Sequence, residues 1–221
     1  MNSEELVKSV LKDVESFHID DIPNIELYMD QVTTYLNDKF SASKRYEDDK
    51  LLTKTMINNY AKSRLLPPPE KKKYSKDHLI TLIMIFFFKN VISINDVTTV
   101  LNPLLDNYFH NDKMPLENIV NEFLNYVQSS DMSEPIINEL KDSMKIFENF
   151  DVEDKEYLQT VGLITMLSYD TFVRKLIIEK LIDSLPENKS DKESKNEKKQ
   201  DKDPKNAKKS QKKSENKKET D

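Results

Sequence analysis

Leu51–Lys76 reads LLTKTMINNYAKSRLLPPPEKKKYSK, and its interpretation decides how the rest of the chain is understood. It sets seven Lys or Arg side chains against one acid, Glu70, a local balance of +6 in a chain of formal net charge −6. A basic block on an acidic body points to a polyanionic partner, because clustered like charge repels itself until something answers it. Locally the block reads as a short helix over 54–62 capped by Thr53. A triple proline, Pro67–Pro69, then ends it, and a lysine-rich turn follows. Such a layout suits a helix-turn-helix with a small wing.

Helical spacing divides 54–62 into two faces. Met56, Ile57 and Tyr60 share one and should pack; Lys54, Thr55, Asn58, Asn59 and Lys62 share the other. Asparagine can pair bidentately with adenine in the major groove, which makes Asn58 and Asn59 the expected base readers. Lys54, Lys62, Arg64, Lys71, Lys72 and Lys73 would hold phosphates, which set register rather than sequence. The alternative is a solvated helix face in a chain biased toward lysine, where Lys outnumbers Arg by 31 to 3.

Outward from the block the chain reads as helices almost throughout. An amphipathic N-terminal helix occupies 1–22, and a second follows Pro23 over 27–39. Ser75 caps a helix running to about Asn90, and Ser93 caps another, with Asp96 as its reciprocal partner and Ile92 against Val97 as a staple. Asn102-Pro103 is expected to restart that helix. Beyond the polar loop His110–Pro115, three more helices are expected, over 116–128, 134–147 and 153–185. The last is apolar on several faces, so it is either central to the monomer or shared with a second copy. The final 187–221 carries 13 Lys and 9 acids with almost no apolar side chain, and should be disordered. It reads as a solubilising tail, or else as an arm that touches nucleic acid.

From Met56 the residues acquire a family look. Tyr60, Leu65-Leu66-Pro67-Pro68, Tyr74-Ser75, Leu79, and Ile92-Ser93 with Val97 resemble the DNA-binding region of the mercury-resistance-regulator (MerR) family. The wider stretch from Ile22 through LLPPP and KKKYS resembles an uncharacterised bacterial domain family regarded as a divergent relative of those regulators. The resemblance implies a recognition helix, a wing and a dimeric regulator. Arg64 stands where that family has a glycine before the Leu-Leu pair, and Glu70–Lys73 replace the Gly and Arg of its wing. The implied division is 1–22 N-terminal helix, 23–109 winged helix-turn-helix region, 110–186 helical dimerisation region and 187–221 tail.

Composition excludes several classes. The absence of Cys removes disulfides and thiolate sites, and a single glycine, Gly162, removes phosphate-cradling glycine loops. The apolar run Leu79–Phe88 is about half the roughly 20 residues of a membrane span. His18, His78 and His110 show no paired metal-ligand spacing, and no carboxylate pair sits in an apolar setting. The expectation is therefore a mainly α, cytoplasmic, non-enzymatic protein without metal or cofactor. It would bind double-stranded DNA as a homodimer and regulate transcription, repression being the simplest expectation, with no membrane partner; a protein-binding adaptor built on the same helices is the alternative.

Overall fold

The computed structural model describes residues 3–15, 18–129, 133–146, 148–149 and 153–186. Within them the chain is mainly helical: α1 (Ser3–Glu15), α2 (Met29–Lys39), α3 (Lys54–Lys62), α4 (Lys76–Lys89), α5 (Ile94–Tyr108), α6 (Leu116–Ser129), α7 (Ser133–Lys145) and α8 (Lys155–Asp183). Two strands, β1 (Leu27–Tyr28) and β2 (Lys73–Tyr74), pair antiparallel with Leu27 opposite Tyr74 and Tyr28 opposite Lys73. The second helix thus begins two residues later than its periodicity suggests, because Leu27 and Tyr28 are drawn into this pairing.

The apolar run near the middle of the chain becomes α4, and every side chain from His78 to Phe86 is buried. A helix apolar on all sides has to be wrapped on all sides. Val32 and Leu36 of α2, Ile57 of α3, Val97 and Leu101 of α5, and Leu116 of α6 belong to the same continuous core. Each fully buried aliphatic side chain contributes about 1.5–3 kcal/mol relative to exposure. Lys76 pairs with Glu117 at 2.6 Å, tying the start of α4 to α6.

Ser93 caps α5 through Asp96 N–H (3.2 Å), and its hydroxyl donates to the Asp96 carboxylate at 2.7 Å. Both members of the expected staple, Ile92 and Val97, are buried. Contrary to expectation, α5 runs through Pro103 without a restart. A proline inside a helix costs about 3 kcal/mol, and burial of Leu101 and Leu105 on either side of it offsets that cost.

The C-terminal layer is packed differently. Leu140 of α7 and Leu163 of α8 are buried where these two helices run side by side, whereas Ile182 reaches the main core beside α5. Few other α8 side chains are covered, so α8 is not a central helix of this fold. No helix among the described residues is long and apolar enough to cross a membrane. Backbone contacts divide the chain into Met1–Asp183 and Ser184–Asp221. The expected tail, 187–221, lies outside the described residues.

Candidate nucleic-acid interface

Thr53 is extended and accepts a hydrogen bond from Met56 N–H (3.2 Å), which starts α3 where the sequence indicated. Ile57 and Tyr60 anchor its inner face, while Lys54, Thr55, Asn58, Asn59 and Lys62 all lie exposed on the outer one. The connection from α2, residues 40–53, is a strap clamped at its far end. Asn37 donates to the Leu52 carbonyl (2.7 Å) and accepts from Leu51 N–H (3.0 Å), and Lys89 donates to the Leu51 carbonyl (2.8 Å). Two side chains from two helices therefore fix where α3 begins.

The helix ends before the prolines are reached. Leu65 N–H donates to the Tyr60 carbonyl (2.9 Å) and Arg64 N–H to that of Ala61 (3.2 Å), with Arg64 at φ 61. This is a Schellman closure, whose left-handed residue is usually glycine. A second tight turn follows. Lys73 N–H donates to the Glu70 carbonyl (2.8 Å), and the two central residues, Lys71 and Lys72, have φ of 47 and 65. Positive φ at both centres defines a type I′ turn, for which Asn-Gly is preferred. Three basic side chains thus occupy backbone positions that cost L-residues roughly 1–2 kcal/mol each. His110 is the other non-glycine residue at positive φ among those described.

The basic side chains are not equivalent. Lys54 is paired with Asp30, and Lys73 lies 3.2 Å from Glu26 and 6.0 Å from the Tyr28 ring centroid. Lys62, Arg64, Lys71 and Lys72 are exposed and make no ion pair among the described residues. Glu47, Asp48 and Asp49 of the strap line a groove of about 710 Å³ with Lys54 and Thr55. The N-terminal end of α3 is therefore partly neutralised, and the open positive charge collects at its C-terminal end and on the type I′ turn.

Directly after that turn lies a cluster that sequence reasoning passed over. Ser75 N–H donates to His78 Nδ1 (3.0 Å), and Ser75 Oγ sits 2.8 Å from both His78 Nδ1 and His110 Nε2. Asp77 accepts from His110 N–H at 2.7 Å. With Nδ1 accepting, the neutral His78 ring carries its proton on Nε2, which is buried and makes no hydrogen bond of good geometry, although the Pro67 and Pro68 carbonyls lie near the ring. Burial pushes the His78 pKa below the usual histidine range. The Pro68 carbonyl opposes this, the neighbouring His110 reinforces it, and Asp77 and the Pro67 carbonyl oppose it again. Tyr74 and Phe109 meet the ring edge-on, at 5.5 and 4.8 Å between centroids. The spacing Ser75-x-x-His78 is a capping-box pattern with histidine in the Glu/Gln place, a signal that was available. His110 lies 35 residues from Ser75, and nothing local announces it. Among the described residues no group of three or more His, Cys, Asp or Glu could hold a metal ion.

Residues 17–123 match the family described as Domain of unknown function (DUF1836). That description assigns no function and does not link the segment to the mercury-resistance regulators. No curated protein and no solved structure matches the chain.

Proposed function

We propose that this chain binds duplex DNA in a sequence-specific manner and regulates transcription without being an enzyme, occlusion of a promoter being the simplest mode. In this reading α2 and α3 form a helix-turn-helix and the Glu70–Lys73 turn is its wing. Asn58 and Asn59 would read adenines, while Lys62, Arg64, Lys71 and Lys72 hold phosphates on either side. Lys54 and Lys73 would contribute less, because each must first leave its carboxylate partner.

One observation carries the reading. Arg64, Lys71 and Lys72 occupy left-handed positions, are exposed and gain no ion pair within the fold, so their charge is unrewarded by folding. Backbone strain kept at exposed cations is a sign of function outside the fold.

A dimer belongs to this proposal. The exposed side chains of Tyr157, Val161, Ile164, Phe172 and Leu176 recur along one side of α8 at spacings of three, four or eight. Tyr169 extends this exposed apolar stripe, and a standard interface covers roughly 800 Å² per partner. A dimeric reader of this kind would engage two half-sites about 34 Å apart, one helical turn of DNA. The same stripe also favours the second reading, an adaptor that docks a different protein on α8 and leaves DNA alone.

The discriminating experiment titrates the full chain against a duplex containing its own upstream region, at several salt concentrations, beside a Lys71/Lys72/Lys73→Ala variant. Binding that survives competitor DNA, with a shallower salt slope in the variant, is the expected result. Weak binding that ignores both sequence and substitution would move the assignment to the adaptor.

A further inference from the structure

Between the strap and the C-terminal end of α4 lies a cleft of about 490 Å³, within the size range of small-molecule sites. Its polar centre is Lys89. This ammonium is half-buried, donates to the Leu51 carbonyl and lies 5.4 Å from the Phe86 ring centroid, with no carboxylate in ion-pair range among the described residues. An ammonium has three donors, and one bond leaves two of them open. Burial pulls the Lys89 pKa below the usual lysine range, which marks a charge short of compensation.

The rest of the lining says what would compensate it. Lys50 brings a second cation to the cleft. Asp49 is there too, but its Oδ2 already accepts from the backbone N–H groups of Arg45 (3.2 Å) and Tyr46 (3.0 Å), within its own turn. The wall is aromatic. Phe86 stacks on Phe40 at 4.5 Å, and Phe87 meets both rings edge-on at 5.6 and 5.7 Å. Phe87 remains 41% exposed, so an aromatic surface faces any incoming group.

We propose that this cleft binds a small organic anion, a carboxylate or phosphate monoester carrying an aromatic or branched apolar body, with Lys89 holding the anion and Phe86 and Phe87 the body. Leu51 belongs to the strap and Met56 to α3, and both line the cleft. An occupant therefore bridges α4 to the strap and to α3 itself and steadies that helix. The inference is independent of whether α3 meets DNA.

The test uses the full chain and four probes at matched ionic strength: benzoate, phenyl phosphate, inorganic phosphate and benzylamine. Benzoate or phenyl phosphate should raise the melting temperature and shift the amide resonances of Leu51, Met56, Phe87 and Lys89 saturably, with Kd at or below about 1 mM. Inorganic phosphate should bind at least roughly tenfold more weakly, a difference of about 1.4 kcal/mol, for want of an apolar body. Lys89→Met and Lys89→Gln should each abolish the shifts, and Lys89→Arg should restore them. The proposal is overturned if neither aromatic anion gives saturable shifts at the cleft, if benzylamine binds as well as benzoate, or if either folded charge-removing variant keeps its affinity within twofold.

Discussion

α4 buries nine consecutive residues, His78–Phe86, whereas α8, with 29 residues to its 14, buries only Leu163 and Ile182. α4 carries no Asp, Glu, Lys or Arg between His78 and Phe88, whereas α8 intersperses Asp170, Arg174, Lys175, Glu179 and Lys180 among its apolar residues, yet leaves large apolar side chains exposed as well. Their neighbours differ too. α4 packs on α5, α6 and β2 and shares one continuous core with residues of α2 and α3, while α8 rests on α7 along one part and reaches α5 with another. The core around α4 is drawn almost wholly from the matched family region, 17–123, with Ile182 of α8 added from outside it. The α7–α8 layer leaves Tyr157, Ile164, Tyr169, Phe172, Ile177 and Leu181 each more than half exposed. The exposed stripe along α8 is where the proposed dimer or adaptor contact would form.

That contrast can be broken most sharply by truncation. Leu82→Ala, at a side chain with no exposed surface, should cost about 2–5 kcal/mol in urea unfolding. Ile164→Ala should change the unfolding of the isolated subunit by no more than about 0.5 kcal/mol. Comparable losses at both sites would mean that α8 is as well packed as α4. Next in size, Ile164→Asp combined with Phe172→Asp should weaken self-association at least tenfold, about 1.4 kcal/mol. Sedimentation velocity reads the association, and an unchanged helical signal in circular dichroism shows that the fold survives.

The smallest effect belongs to His78. Its pKa is lowered in the fold, so the unfolded chain takes up a proton that the folded one resists. Stability should hold steady above the ordinary histidine pKa, about 6.5, and decline as pH falls below it. The decline should level off once pH passes the depressed folded value. His78→Gln keeps an acceptor for Ser75 N–H and removes the titration. Urea midpoints at pH 8 and pH 5 should therefore differ less in this variant than in the wild type. An identical pH dependence would assign the loss to other groups.

Much of the fold was legible in the sequence because its signals are local. Thr53 and Ser93 cap where they were expected to, and α3 and α6–α8 begin and end within about two residues of their periodicity. What escaped depends on contacts distant in sequence or on backbone conformation. The β1–β2 pairing joins residues some 46 apart and takes Leu27 and Tyr28 out of the helix. Pro103 sits inside α5 because core burial on both sides outweighs the lost hydrogen bond. The sequence marks Arg64 as a departure from a glycine position, but only the φ value shows that the glycine-like conformation is kept without the glycine. For the candidate site, exposure of Asn58, Asn59 and Lys62 followed from helical spacing. The pairing of Lys54 with Asp30 and of Lys73 with Glu26 did not.

If Lys71 and Lys72 are held in left-handed geometry for what they touch outside the fold, relieving that geometry should exchange binding for stability. The variant Lys71→Asn/Lys72→Gly installs the preferred type I′ pair and removes two charges, and it should be measured for both stability and DNA binding. A gain of about 1–2 kcal/mol in unfolding free energy is expected. Binding to the upstream duplex should weaken at the same time, with a log–log salt slope shallower by about 2. A variant that is more stable and binds DNA as tightly as before, with the same salt slope, would overturn the proposed DNA role of these lysines.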